Sequence, residues 1–158
     1  MEKIIVGIAE GKVTHSPNLL VSYALGSCVG ICLFDSQKKI AGMAHILLPY
    51  QKEALNQENI YQFADTGIDA LIKAMYAHGA KKNHMTAKIA GGAEMFCKTF
   101  ADTGIGKKNV CIVKEILKEH SILITAEDTG KSMGRTITFS AATGKMEVKT
   151  VNQQYRII

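Results

Sequence analysis

Two side chains in this sequence have the types and spacing for nucleophilic chemistry: Cys28, set among small residues in Leu25-Gly26-Ser27-Cys28-Val29-Gly30, and His45. A thiol attacks a carbonyl carbon only as its thiolate. With an ordinary pKa of about 8.5 it is a few per cent ionised at neutral pH, so it needs a base or a positive dipole beside it. His45 is the candidate base. Gly26 removes a Cβ where another backbone must approach, and Ser27 adds little bulk, so the backbone N–H of Cys28 can face a developing oxyanion. Gly26, Ser27 and Cys28 are therefore the candidate oxyanion and substrate-cleft residues. Ser22, the one hydroxyl at the end of an apolar run, can accept the second ring N–H of His45 and hold its tautomer. Plainer alternatives stand beside each: Cys28 as a core cysteine, Ser22 as a serine bonded to neighbouring backbone.

Three strands must carry these residues. Leu19 to Ala24, Val29 to Phe34 and Ile40 to Ile46 are apolar runs, the last two joined by the polar turn Asp35-Ser36-Gln37-Lys38-Lys39. Pairing across that hairpin sends His45 back towards Cys28. Ile60, Phe63, Ala64, Ile68, Leu71, Ile72 and Met75 recur at helical spacing until Gly79, which predicts an amphipathic helix. Thr86 to Ala90 predicts a strand entering Gly91-Gly92, and Ala93 to Phe100 a short helix. Asn109 is read as the N-cap of a second main helix that buries Val110, Val113, Ile116 and Leu117. A strand over Ile122–Ala126 and a hairpin of Arg135–Ser140 with Lys145–Val151 complete the order βββαβαβββ. The expectation is an α+β fold: one domain over residues 1–158, a layered α/β sandwich of mixed strands covered by two main helices.

Composition narrows the function. At 158 residues the chain fits one domain that buries roughly 68–70% of its unfolded surface without metal or disulfide support. Its formal charge of +5 comes from scattered lysine pairs without interleaved aromatics, which argues against nucleic acid. No apolar stretch approaches a membrane span, so no direct membrane insertion is expected. The four cysteines form no C-x-x-C pair, and we expect a cytoplasmic protein with reduced thiols. Cys97 and Cys111 are read as small core groups, and His15, His78, His84 and His120 as surface residues. Gly91-Gly92-Ala93 completes no phosphate-binding pattern and is read as a tight turn against the site. Cys28, Cys32 and His45 lack the fourth ligand of a closed zinc site, so no metal and no organic cofactor is expected.

Several segments together closely resemble the chemoreceptor glutamine deamidase family, CheD. They are Leu25 to Gly30, Ile40 to Pro49 with its A-H-x-x-L-P element, Tyr61 to Thr66, Ala87 to Ala93 and Ala126 to Gly130. The family's catalytic cysteine falls on Cys28 and its histidine on His45. Its third position, commonly threonine, falls on Ser22, which keeps the hydroxyl and loses a methyl. Lys131 stands where the family usually carries a second glycine, which implies a loop difference.

This resemblance implies hydrolysis of particular glutamine side-chain amides to glutamate on methyl-accepting chemotaxis receptors, with release of ammonia. It also implies a chemotaxis phosphatase of the CheC kind as a partner. The Cys/His pair alone fits other amide chemistry, such as a cysteine protease or a transglutaminase. A mainly regulatory binding module for the phosphatase is a further reading from a different class.

Overall fold

The computed structural model describes residues 1–94 and 104–158. The chain runs through β1 (Lys3–Ile5), β2 (Gly11–His15), β3 (Leu19–Leu25), β4 (Val29–Asp35) and β5 (Ile40–Ile46) before α1 (Ala64–Ala77). Then follow β6 (Met85–Gly91), α2 (Ile105–Glu119), β7 (Leu123–Thr129), β8 (Arg135–Ser140), β9 (Met146–Thr150) and β10 (Tyr155–Ile157). The strands form two five-stranded mixed sheets, ordered β1-β3-β8-β9-β10 and β2-β5-β4-β6-β7. The α+β expectation holds, with five strands before the first helix where the sequence predicts three, and with β10 as an extra closing strand. The predicted helix over Ala93 to Phe100 falls largely on residues outside those described, as does Cys97.

Alternation along β4 and β5 explains the layering, because successive side chains of a strand leave opposite faces. Val29, Ile31 and Leu33 with Ala44 and Ile46 pack against Ile68, Leu71, Ile72 and Met75 of α1 and Ile112, Val113, Ile116 and Leu117 of α2. The other face of the same strands, Cys28, Cys32, Phe34, Ala41 and Met43, packs against Leu20 of β3, Ile137 and Phe139 of β8 and Met146 and Val148 of β9. The molecule is thus three layers deep, with helices on one sheet and the second sheet on the other. β3 therefore lies in a different sheet from β4 and β5.

The passage between sheets is abrupt. The pairing of β3 with β8 shifts register between Ser22 and Leu25, and Ala24 takes a left-handed φ of 57°. This bulge bends the chain into the short corner Gly26-Ser27-Cys28, from which β4 starts at Val29 in the opposite sheet. Among the described residues, no helix is long and apolar enough to cross a membrane.

Helix α1 begins at Ala64, because Ile60 belongs to a separate 3-10 turn and is exposed; Gly79, just past the helix end, has a φ of 98°. Helix α2 begins at Ile105, so Asn109 is not its cap. Asn109 sits inside the helix, fully buried. Its neighbours on the buried stripe, Gly106, Ile112, Val113, Ile116 and Leu117, leave Cys111 on the opposite face, where it is exposed rather than in the core. Asp128 lies in β7, buried, paired with Arg135 at 2.7 Å and Arg156 at 3.0 Å.

Candidate active site

His45 reaches the space between the sheets because it has the same parity along β5 as Met43 and Ala41. In the antiparallel register it stands opposite Gly30, two residues past Cys28 on the same face of β4. The missing side chain at Gly30 leaves a place that Ile137 and Leu25 occupy; a Cβ there would lie 2.7 Å from Ile137. The main chain of His45 is held on both sides, its N–H donating to Glu10 O at 3.0 Å and its carbonyl accepting from Ala9 N at 2.9 Å.

Ser22 meets it from the other sheet. Its hydroxyl oxygen is 2.9 Å from His45 Nδ1 and 2.8 Å from the carbonyl oxygen of Val6. A hydroxyl has one proton to give, and a carbonyl can only accept, so Ser22 donates to Val6 and accepts from Nδ1–H of His45. That assigns the tautomer: Nε2 carries the lone pair. Ser22 and His45 are both fully buried, and Nε2 has no hydrogen-bond partner among the described residues.

Cys28 is half-buried at the corner, two residues before Gly30, the residue that stands opposite the buried His45. Burial pushes its thiol above the ordinary range, a tendency its own nearby backbone N–H partly opposes. Burial likewise holds the His45 imidazole below its ordinary value. Both shifts have one cause, the poor solvation of the charged forms, so the resting pair is a neutral thiol and a neutral imidazole. Cys32, on the same face and fully buried, is pushed up still further and is a core residue.

The corner is clamped at successive carbonyls. Gly26 O accepts from Ala93 N at 2.8 Å and Cys28 O from Gly92 N at 2.8 Å. Between them, Ser27 O accepts from Nδ2 of Asn109 at 3.0 Å. The backbone N–H of Cys28 donates to no other backbone group or side chain among the described residues, as an oxyanion donor requires. Gly91-Gly92 forms the tight turn expected from the sequence. Gly91 has a φ of 114°, and a Cβ on it would lie 2.2 Å from Cys28 O. Arg135 braces that turn by donating to Gly91 O at 3.3 Å and Gly130 O at 2.7 Å while pairing with Asp128.

The structure thus joins Ser22 directly to His45 and sets the Gly26-Ser27-Cys28 corner just before the strand that pairs with that of His45. Two contributors were not singled out from the sequence, the Val6 carbonyl and the Arg135 guanidinium, and a third, the Asn109 amide, was read there as a helix cap. Only Asn109 carried a readable signal there, as a polar residue on the apolar stripe of a helix.

The molecule is an α+β protein with a half-buried thiol on an inter-sheet corner and a buried, serine-bonded imidazole on the strand next to it. More specifically, the chain belongs to the CheD family: the model described as CheD chemotactic sensory transduction matches residues 47–150. It is 46% identical over 155 residues to a probable chemoreceptor glutamine deamidase CheD of Caldanaerobacter subterraneus subsp. tengcongensis, covering 97% of this chain and 96% of the relative. A protein of Clostridium novyi with the same description is 45% identical over 161 residues, 99% of this chain and 98% of the relative. Among solved structures, a Neisseria meningitidis protein of the DUF152 family superposes with a TM-score of 0.51 over 90% of this chain and 72% of its own. At 12% identity, that likeness is one of fold alone.

Proposed function

We propose that this chain is a cytoplasmic chemoreceptor glutamine deamidase that works through Cys28, with His45 as base and acid and Ser22 as the group that orients it. The reading rests on one observation above the others: the Val6–Ser22–His45 chain of hydrogen bonds, which leaves the Nε2 lone pair of a buried imidazole without a protein partner.

The reaction runs in two halves. As Sγ of Cys28 bonds to the amide carbon, its proton passes to Nε2, and the carbonyl oxygen becomes an oxyanion facing the Cys28 N–H. The imidazolium then protonates the amide nitrogen, the C–N bond breaks, and ammonia leaves a thioester on Cys28. Water attacks this thioester and gives its proton to Nε2. The C–S bond breaks, the proton passes to sulfur, and glutamate is released. Depressed basicity at His45 favours the donating step of each half, because a weakly basic imidazolium gives its proton up readily, and opposes the accepting step.

A half-buried thiol beside the strand that bears a buried imidazole suits a side-chain amide inserted from a neighbouring surface. A coupled assay of ammonia release from a receptor fragment tests the assignment: Cys28→Ala and His45→Ala lose turnover and remain folded. Fragment shortening would instead indicate proteolysis, and phosphatase binding without ammonia would indicate a docking module.

The partner phosphatase of the CheC kind is placed in the same cleft as the receptor, since both would present a helical surface to one corner. Adding it raises the apparent KM for receptor with little change in kcat and slows alkylation of Cys28. Tight binding with both rates unchanged puts its docking surface elsewhere.

A further inference from the structure

We infer that Asn109 is a positioning residue for this reaction, fixing the Cys28 N–H and tying the arm that bears the nucleophile to the arm that bears the base. The inference rests on the cysteine mechanism above and adds a residue to it. Asn109 lies on α2, on the far side of the β4–β5 sheet from Ser22, and is fully buried. Its Nδ2 uses both protons: one bond goes to Ser27 O at 3.0 Å, the other to Leu47 O at 2.8 Å.

Each acceptor has a meaning. In a trans peptide the C=O and N–H point in opposite directions, so anchoring Ser27 O sets the direction of the Cys28 N–H, the donor for the oxyanion. The carbonyls before and after it, Gly26 O and Cys28 O, are held by main-chain donors of Ala93 and Gly92. Only the middle one, whose peptide carries the catalytic N–H, depends on a side chain. Leu47, the second acceptor, lies two residues beyond His45, just past the end of β5. One planar amide therefore sets the spacing between the corner of Cys28 and the strand of His45.

The other half of the amide marks the arrangement as more than packing. Asn109 Oδ1 is buried and has no hydrogen-bond partner among the described residues. An unpaired buried acceptor opposes folding. A site selected for stability alone would avoid it; one that needs two N–H donors aimed at two carbonyls from a rigid helix retains it.

Asn109→Leu keeps the volume and removes both donors. The expected result is a kcat reduced by about a hundredfold, the scale of a misplaced oxyanion donor, with KM for the receptor fragment within about twofold of the parent. Alkylation of Cys28 by iodoacetamide at alkaline pH, which needs a thiolate but no oxyanion donor, stays within about threefold of the parent. A parent-like kcat, or a loss confined to KM, overturns the inference. Asn109→Ala, which leaves room for water at the two carbonyls, is measured alongside; failure of both variants to fold makes Asn109 purely structural and also overturns it. Cys28→Ala in the same assay separates the two levels of the account. Turnover by Cys28→Ala removes the cysteine mechanism itself, whereas a silent Cys28→Ala with a normal Asn109→Leu removes only the positioning role.

Discussion

The hydroxyl of Ser22 and Nδ1 of His45 lie 2.9 Å apart although they belong to different sheets. The bond crosses the inter-sheet core at the point where the chain turns from β3 into β4, so the packing of the two sheets sets the geometry of the imidazole. Because Ser22 gives its proton to Val6 O, the bond also sets the protonation pattern of the ring.

If orientation is the role of Ser22, then Ser22→Ala lowers kcat by about tenfold or more and leaves KM for the receptor fragment unchanged, because tautomer and ring geometry act on the chemical step. Ser22→Thr keeps the hydroxyl and stays close to the parent rate. Steady-state kinetics of the three proteins checks this, and equal kcat for Ser22→Ala and parent removes the role.

The neutral resting pair has a signature in pH. Burial raises the Cys28 thiol and lowers the His45 imidazole, so thiolate accumulates only above the ordinary thiol range and imidazolium only below the ordinary imidazole range. Alkylation of Cys28 therefore rises steeply on the alkaline side and is slow near neutrality, while kcat/KM for deamidation falls off only below the usual histidine range. Fast alkylation that stays flat down to mildly acid pH would instead mean a preformed thiolate–imidazolium pair.

Arg135 ties β8 to Asp128 and to the Gly91 turn that holds Cys28. Arg135→Met leaves buried Asp128 with only the exposed Arg156 and removes one of the two donors to the Gly91 carbonyl, at a cost of about 3 kcal/mol. Urea unfolding measures it. Replacing both partners, Arg135→Met with Asp128→Leu, recovers part of that loss because no buried charge remains unpaired; a double variant no more stable than the single one contradicts the assignment.

How much of this was legible in the sequence depended on the kind of signal. The run Ile40 to Ile46 is β5 residue for residue, because a fully buried central strand is apolar throughout and ends at its turn. The roles proposed for Cys28 and His45 rest on residue type and hairpin distance. By contrast, β1, β2 and β10 are short edge strands with exposed positions, such as Lys3, Lys12 and Arg156, and leave little pattern. Placement of Ser22 in the opposite sheet depends on the bulge at Ala24, whose left-handed φ nothing in an alanine announces. Asn109 fits a helix cap by type, and only its place on the stripe of Gly106, Ile112, Val113 and Ile116 shows that it faces inward.

The most direct measurement is the intact mass of a receptor fragment after incubation with the parent protein and, separately, with Cys28→Ala. Conversion of an amide to an acid through the Cys28 thioester adds about 1 Da at each modified glutamine, without chain cleavage. The account predicts that shift with the parent and an unchanged mass with Cys28→Ala. The same shift with Cys28→Ala, at a parent-like rate, contradicts it.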